Sequence, residues 1–528
     1  MGITEHSWLR HRTSRICVAL VLPVCILLTL SVLSVSAKNP ALSEQPQPEI
    51  SVVMIVLDEA MLSPLLRVDG TINRKRFPGF AALADTSTWY RNMMGTSQRT
   101  TEAVPSILSG QWPSLKKYPV LRDHPNNLFT YMRGRKELNV YQSITKLCPR
   151  GVCPNAGPEY FRMVNRQVQK FEEFIEESAS STVPTLHFTH LLLPHRPWGL
   201  APDVRLSPDL VQFTDKRSER LVDRRRDNYQ SMLRQYVATD TLLLEFINKL
   251  KASPRWDNTM IVVTADHGIT FVPGESYRDK INIKNPGTLE DIYRVPLFIK
   301  YPQQTKSSIS DCPASSIDIL PTIIATNGVA PTWTTEGINL RDICPLRASR
   351  RVQWPYSTTQ ISTDFSAVLE RVRYYDNWID ANGDVDDIYR VQLSGRLLGK
   401  RVPDTAPKNV RVSWTLNGEE NYQNVGTGRL APVPTRASGT LTTQSRLCER
   451  CEGLIAANGR FVGVLPELAG MTAEMGSLPF SSSLMSRYIQ PGDNRVELWV
   501  ADWTSQKPVM SLVGVPNPGR VADLNGGR

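Results

Sequence analysis

The sequence predicts an α/β fold with a mainly parallel sheet and helices on both faces, followed by a small C-terminal β domain and preceded by an N-terminal transmembrane helix. Three observations predict it. A continuous apolar, β-branched run at Ile50–Leu57, a second strand candidate at Thr185–Leu193 and an apolar strand at Thr259–Ala265 point to a parallel sheet covered on both sides. Helical patterns alternate with strands from residue 49 to about 345, and beyond Arg350 the chain turns to short alternating segments, the signs of βαβ units and of antiparallel strands respectively. From Ile16 to Ala37 no charged residue occurs in 22 positions, enough to cross a bilayer at about 20 residues.

The N-terminal run follows Arg10, Arg12 and Arg15, which keeps the preceding end in the cytoplasm and exports the rest. Val35-Ser36-Ala37 also fits signal-peptide cleavage, but the run exceeds the 7 to 15 residues of a signal h-region. A retained anchor is the expectation. The formal charge of +10 comes with 51 acidic residues and no recognition motif, which argues against nucleic acid as a partner. Six cysteines lie outside the apolar run in local pairs, Cys148 with Cys153, Cys312 with Cys344 and Cys448 with Cys451. Such pairs suit an oxidising compartment, although spacing alone does not prove connectivity.

Taken in order, the first strand ends at Asp58-Glu59, and a carboxylate there lies where open α/β sheets build their sites. Capping the next segment is the other reading of Asp58. Phe77 to Ala84 reads as helical. Pro105 suits the first turn of a helix, which sets Thr100 just before a helix N-terminus, favourable for a bound anion. His187 and His190 lie within the second strand and read as packed side chains. His195, between Pro194 and Pro197 at the strand's exit, is rigidly presented as a proton donor should be. Leu243, Phe246, Ile247 and Leu250 recur at helical spacing after a charged run from Arg217 to Arg226. The third strand ends in Asp266-His267-Gly268, whose oxygen and nitrogen donors favour zinc or manganese over calcium; Gly268 permits a tight turn. Arg294 to Lys300 is a further strand and Asp318 opens another helix. Asn382-Gly383 reads as a hairpin turn.

Asp58, Thr100, His195 and Asp266-His267, together with Pro105 to Gly110, Arg294-Val295-Pro296-Leu297, Asp318 to Thr322 and Glu336 to Leu340, resemble in their order the alkaline phosphatase and sulfatase superfamily, in particular its membrane-associated sulfatase-like members. The resemblance covers about residues 49 to 345. Sulfatases of this group carry a Cys or Ser, converted to formylglycine, in a Cys/Ser-x-Pro-Ser-Arg motif. Counting back ten residues from Gly110 sets Thr100 at that position, and the motif's Pro and Arg are absent. The related phosphoethanolamine and phosphoglycerol transferases use a threonine five residues before a proline, as Thr100 stands before Pro105.

The resemblance implies one divalent metal ion, zinc or manganese before calcium or magnesium, bound by Asp58, Thr100, Asp266 and His267. It also implies a nucleophilic Thr100, a His195 that assists the leaving oxygen, and Glu59, Arg99, Lys280 and Lys284 as further carboxylate or anion contacts. The expected activity is a metal-dependent hydrolase or transferase acting on a phosphate ester or diester through a Thr100 intermediate. Its substrate is an anionic phosphate- or sulfate-bearing molecule, a lipid headgroup or an envelope glycan. Sulfatase-type ester hydrolysis and a catalytically inactive envelope-binding module are the alternatives. The expected organisation is a cytoplasmic N-terminus (1–15), a transmembrane anchor or signal sequence (16–37), a linker (38–48), a catalytic domain (49–345), a connecting hairpin region (346–408), a β domain (409–516) and a flexible tail (517–528). The protein is expected in the cell membrane, single-pass, with its catalytic domain outside the cytoplasm.

Overall fold

The structure, a computed structural model, describes residues 49–517 apart from 154–162, 209–221, 343, 345–347, 355–356, 380–382, 406–410, 466–467 and 469–470. The expected anchor, its flanks and all but the first residue of the tail lie outside the described residues, as does much of the charged run before α5. No helix among the described residues is long and apolar enough to cross a membrane.

Seven strands form the central sheet in the order β3-β4-β1-β5-β6-β2-β7. They are β1 (Ser51–Asp58), β2 (Thr88–Tyr90), β3 (Glu137–Tyr141), β4 (Thr185–Pro194), β5 (Thr259–Ala265), β6 (Leu297–Lys300) and β7 (Ser308–Ser310). β3, β4, β1 and β5 are mutually parallel, β6 runs against both β5 and β2, and β2 is parallel to β7. Every residue of β1, β4 and β5 is buried, which is why β1 and β5 read as nearly unbroken apolar runs; β4 buries His187 and His190 among its apolar residues.

The helices are α1 (Pro78–Ala84), α2 (Thr100–Ser109), α3 (Leu128–Met132), α4 (Val164–Ser180), α5 (Val222–Lys251), α6 (Pro286–Tyr293), α7 (Ile319–Asn327) and α8 (Ser366–Asp376). Adjacent residues of a strand point to opposite faces. On β4, Phe188 packs edge-on against Phe129 of α3 at 5.0 Å, while His187 meets Phe174 of α4 at 6.3 Å. The sheet is therefore covered on both faces. The stripe Leu243, Phe246, Ile247 and Leu250 of α5 is buried, and Phe246 packs against Phe171 and Phe174 of α4.

Helix α2 starts earlier than Pro105 suggests. Arg99 is extended (φ −121°, ψ 133°) and its carbonyl accepts the N–H groups of Glu102 and Ala103. Thr100 is therefore the first helical residue, not the residue before the helix, and Pro105 stands inside the helix, where the missing N–H removes one intrahelical bond. Gly110 ends the helix at φ 64°, a conformation glycine adopts without steric cost.

Beyond the sheet, β8 (Ser349–Trp354) and β9 (Ser357–Ser362) pair as a hairpin. Asn382, of the Asn-Gly turn expected from the sequence, lies outside the described residues; Gly383 stands before a 3-10 turn at Val385–Ile388 whose start is set by Asp384 and Asp387 in a capping box. The C-terminal part forms two antiparallel sheets. One contains β10 (Val412–Leu416), β11 (Arg436–Thr443) and β14 (Leu478–Ser483); the other contains β13 (Arg460–Leu465), β12 (Cys451–Ala457), β15 (Val496–Asp502) and β16 (Val509–Gly514). The first is tied to α5, where Asp227 accepts hydrogen bonds from Ser481 (3.1 Å) and Ser483 (3.2 Å). Disulfides join Cys148 to Cys153, Cys312 to Cys344 and Cys448 to Cys451.

Candidate active site

Four chain segments converge at the carboxyl ends of the parallel strands. β1 delivers Asp58 and Glu59, β5 delivers Asp266 and His267, β4 delivers His190 and, past its end, His195, and α2 delivers Thr100 at its N-terminus. Glu59 has φ 60°, a left-handed conformation that costs a bulky residue about 1–3 kcal/mol. Its backbone N–H donates to Asp266 Oδ1 at 3.3 Å. The kink breaks the strand's alternation, and both carboxylates turn into the same pocket.

Asp58, Asp266 and His267 each offer one ligand atom within 4.8 Å of the others, all buried. His267 Nε2 lies 3.3 Å from Asp266 Oδ2, 4.0 Å from Asp58 Oδ1 and 3.2 Å from Thr100 Oγ1. His267 Nδ1 faces the Gly268 carbonyl at 3.0 Å, an N–H···O contact that leaves Nε2 as the lone-pair donor. On the other side, Glu59 Oε1 is 3.4 Å from His195 Nε2 and 3.2 Å from Arg278 Nη1, and Arg278 Nη1 also reaches His267 Nε2 at 2.8 Å.

The two carboxylates at the end of β1 carry opposite burdens. Burial, then the charge of Glu59, pushes Asp58 up to about 8, and burial with the Asp58 charge raises Asp266 as well. Glu59 is as deeply buried, yet His195, Arg278 and Arg196 outweigh that burial and hold it below the ordinary carboxylate range. Burial, reinforced by Arg278, keeps His267 well below its ordinary value, and His190 is pushed down to about 3 by burial and by His195. Asp58 Oδ1 and Asp266 Oδ2 carry no hydrogen bond of ordinary geometry among the described residues. Two buried carboxylates in this state are costly unless a cation compensates them. A divalent metal fits this donor set: two oxygens and one imidazole nitrogen, buried, with the Thr100 hydroxyl beside them.

The turn that carries Asp266 and His267 is held from behind. Gly268 N–H donates to the Ile292 carbonyl at 2.7 Å, and Asp291 accepts from Thr270 Oγ1 (2.8 Å), Arg371 Nε (2.8 Å) and Tyr375 OH (2.6 Å). A Cβ on Gly268 would stand 2.1 Å from the Asp291 carbonyl. Close backbone approach, not a positive φ, is what demands glycine here. Gly268→Ala is expected to destabilise the fold by about 3 kcal/mol or more, read as a lower denaturant midpoint with the same m-value.

The structure brings Thr100, Asp58, Glu59, His195, Asp266 and His267 together. Arg99 contributes its backbone to the start of α2. Lys280 and Lys284 are exposed, and the cation from their loop in contact with the site is Arg278. Sequence reasoning missed Arg278 and His190. Among several loop cations no spacing selects Arg278. His190 shares its strand with His187, and the only available signal is parity, which sets it on the same face as Phe188 without revealing what that face meets.

Buried carboxylates and an imidazole at the ends of parallel strands thus stand beside a hydroxyl on a helix N-terminus, a donor set that could hold a metal ion. The sulfatase family model matches residues 51–329, more than half of the chain, and the protein belongs to the sulfatase family. The chain is 29% identical over 131 residues to an N-acetylglucosamine-6-O-sulfatase of Bacteroides thetaiotaomicron, covering 24% of this chain and 22% of that protein. It is 30% identical over 118 residues to an uncharacterised sulfatase of Escherichia coli, covering 22% of each. The chain thus spans about a fifth of the length of these relatives. Among solved structures, the phosphonate monoester hydrolase of Agrobacterium radiobacter aligns over 58% of this chain and 80% of its own, with 16% identity and a TM-score of 0.43.

Proposed function

We propose that the protein is an exported, membrane-anchored hydrolase or transferase that cleaves a phosphate ester or diester through a covalent intermediate on Thr100. The observation that carries this reading is Thr100 itself: its Oγ1 stands 3.2 Å from His267 Nε2 at the N-terminus of α2, where formylglycine chemistry is closed to a threonine. The apolar run from Ile16 to Ala37 supports the anchor and the extracytoplasmic placing.

Asp58, Asp266 and His267 would hold the divalent ion, with Thr100 completing the set. When bound, such an ion lowers the pKa of a coordinated hydroxyl and offsets charge developing on the substrate. Thr100 Oγ1, its proton released to solvent, attacks phosphorus, forming the Oγ–P bond as the bond to the leaving oxygen breaks. The α2 N-terminus favours the negative charge of the phosphoryl group. His195 Nε2, oriented by Glu59, gives its proton to the leaving oxygen. In the second half, water or an acceptor alcohol surrenders a proton to His195 and attacks the phosphothreonine, freeing Thr100. The substrate is read as an anionic phosphate-bearing lipid headgroup or envelope glycan.

A second reading, sulfate-ester hydrolysis, draws on the names of the curated relatives. Parallel assays of full-length protein in detergent separate the two. A bis(nitrophenyl) phosphate should turn over well above nitrophenyl sulfate, and the reverse order would reject the phosphoryl reading. His195→Ala should lower kcat/KM, which reports the half-reaction that expels the leaving group, by roughly 10²–10⁴-fold for an alkyl phosphodiester and far less for a nitrophenyl ester, whose leaving group needs no proton. Equal losses on both would remove His195 from the acid role.

A further inference from the structure

His190 takes no part in the chemistry assigned to Thr100 and His195, yet it stands beside them. It is fully buried on β4, opposite Val56 of β1 in register, and neither ring nitrogen has a hydrogen-bond partner among the described residues. Its neighbour His187, on the other face, has Asn139 Nδ2 at 3.1 Å from Nδ1. An imidazole packed for its bulk alone would leave two buried polar atoms unsatisfied, which is costly away from water. Its Nε2 points at the carboxylates instead, 3.6 Å from Asp58 Oδ2 and 4.0 Å from Asp266 Oδ2. Both gaps are too long for hydrogen bonds.

They have the size of the edges of a coordination shell. Donors about 2.1 Å from a common centre stand roughly 3–4 Å apart in a five-coordinate shell. His190 Nε2 lies 3.6 Å from Asp58 Oδ2 and 4.0 Å from Asp266 Oδ2, and His267 Nε2 lies 3.3 Å from Asp266 Oδ2 and 4.0 Å from Asp58 Oδ1, so Asp58 faces the two imidazoles with different oxygens. We propose that His190 Nε2 is a further ligand to the divalent cation, making a five-donor centre of two imidazoles, two carboxylates and the Thr100 hydroxyl. The inference rests on the reading of Asp58, Asp266 and His267 as a metal site. It narrows the metal, because two nitrogen donors suit zinc and its transition-metal neighbours and disfavour calcium and magnesium.

The test uses the full-length chain purified in detergent, stripped with EDTA and reloaded with zinc. X-ray absorption at the zinc edge should count two imidazoles in the wild type, two in His195→Gln and one in His190→Gln. Zinc affinity, measured by competition with a chromophoric chelator, should fall about 100-fold or more in His190→Gln, while calcium fails to displace zinc from the wild type. One imidazole in the zinc-loaded wild type, or two retained in His190→Gln, overturns the role of His190 and leaves the three-residue site standing. The wild-type count decides even if the variant does not fold. If the wild type binds no more zinc than Asp266→Asn, the three-residue site falls too, and this inference with it.

Discussion

Thr100→Ala is expected to abolish ester cleavage, lowering kcat/KM for a bis(nitrophenyl) phosphate by at least about 10³-fold, while the protein still folds and, at saturating metal, still holds the ion through Asp58, Asp266 and His267. The size comes from the role: removing a nucleophile leaves only binding and electrostatic stabilisation, and residual rates of that order are what remain when a nucleophile is deleted elsewhere. Thr100 heads α2 and is 8% exposed, so truncation removes a hydroxyl and a methyl group without opening the core. Thr100→Ser should keep part of the activity, because the hydroxyl is preserved. Acid quenching of the wild type during turnover should leave one phosphoryl group on the peptide containing Thr100, found by mass spectrometry. Unchanged turnover in Thr100→Ala, or a phosphoryl group on Thr101, rejects the mechanism.

Chelation is expected to have the second large effect, on stability as well as on rate. At free metal about 1,000-fold above Kd, binding stabilises the folded state by about 4 kcal/mol, and EDTA removes that contribution. The stripped protein should then lose further stability as pH rises from about 6.5 to 8. Asp58, pushed up from 3.8 to about 8, and Asp266, also raised, keep their protons in the folded state and lose them at lower pH when unfolded. Their stabilisation is present at low pH and disappears as pH climbs through the folded values. Below about 6.5, the ordinary histidine value, His190 and His267 oppose this trend, since both are depressed and the unfolded chain binds their protons more readily. Above that value the two histidines no longer oppose the trend, and burial-raised Asp58 and Asp266, joined up to about pH 7 by Asp240, set its direction. Calorimetry of stripped and reloaded protein at pH 6.5 and 8 measures the effect; a Tm of the stripped protein that rises over this interval contradicts it.

The strands that carry these buried carboxylates are the most legible part of the sequence. β1, β4 and β5 stand out because strands covered on both faces must be apolar at nearly every position, and a polar residue marks where each run stops. Thr100 is legible through its distances to Pro105 and Gly110, since a helix fixes spacing along the chain. The short strands β2, β3 and β7 are less legible: three to five residues carry too little pattern to separate from loop. The reversed direction of β6 has no local signature at all, because strand direction depends on which neighbour offers its hydrogen bonds.

What the amino-acid sequence determined by itself is the family, the covered parallel sheet and the identity of the residues at its strand ends, since periodicity and spacing are local properties of the chain. The tertiary structure decided which of those side chains meet. Four separate segments bring Asp58, His190, His195, Thr100 and His267 into one pocket, and Arg278 enters it from a loop whose lysines, Lys280 and Lys284, face solvent. Glu59 joins them only because its backbone turns left-handed. Such convergence depends on register and strand order across distant parts of the chain, and no pattern along the sequence encodes the distance between two atoms that far apart.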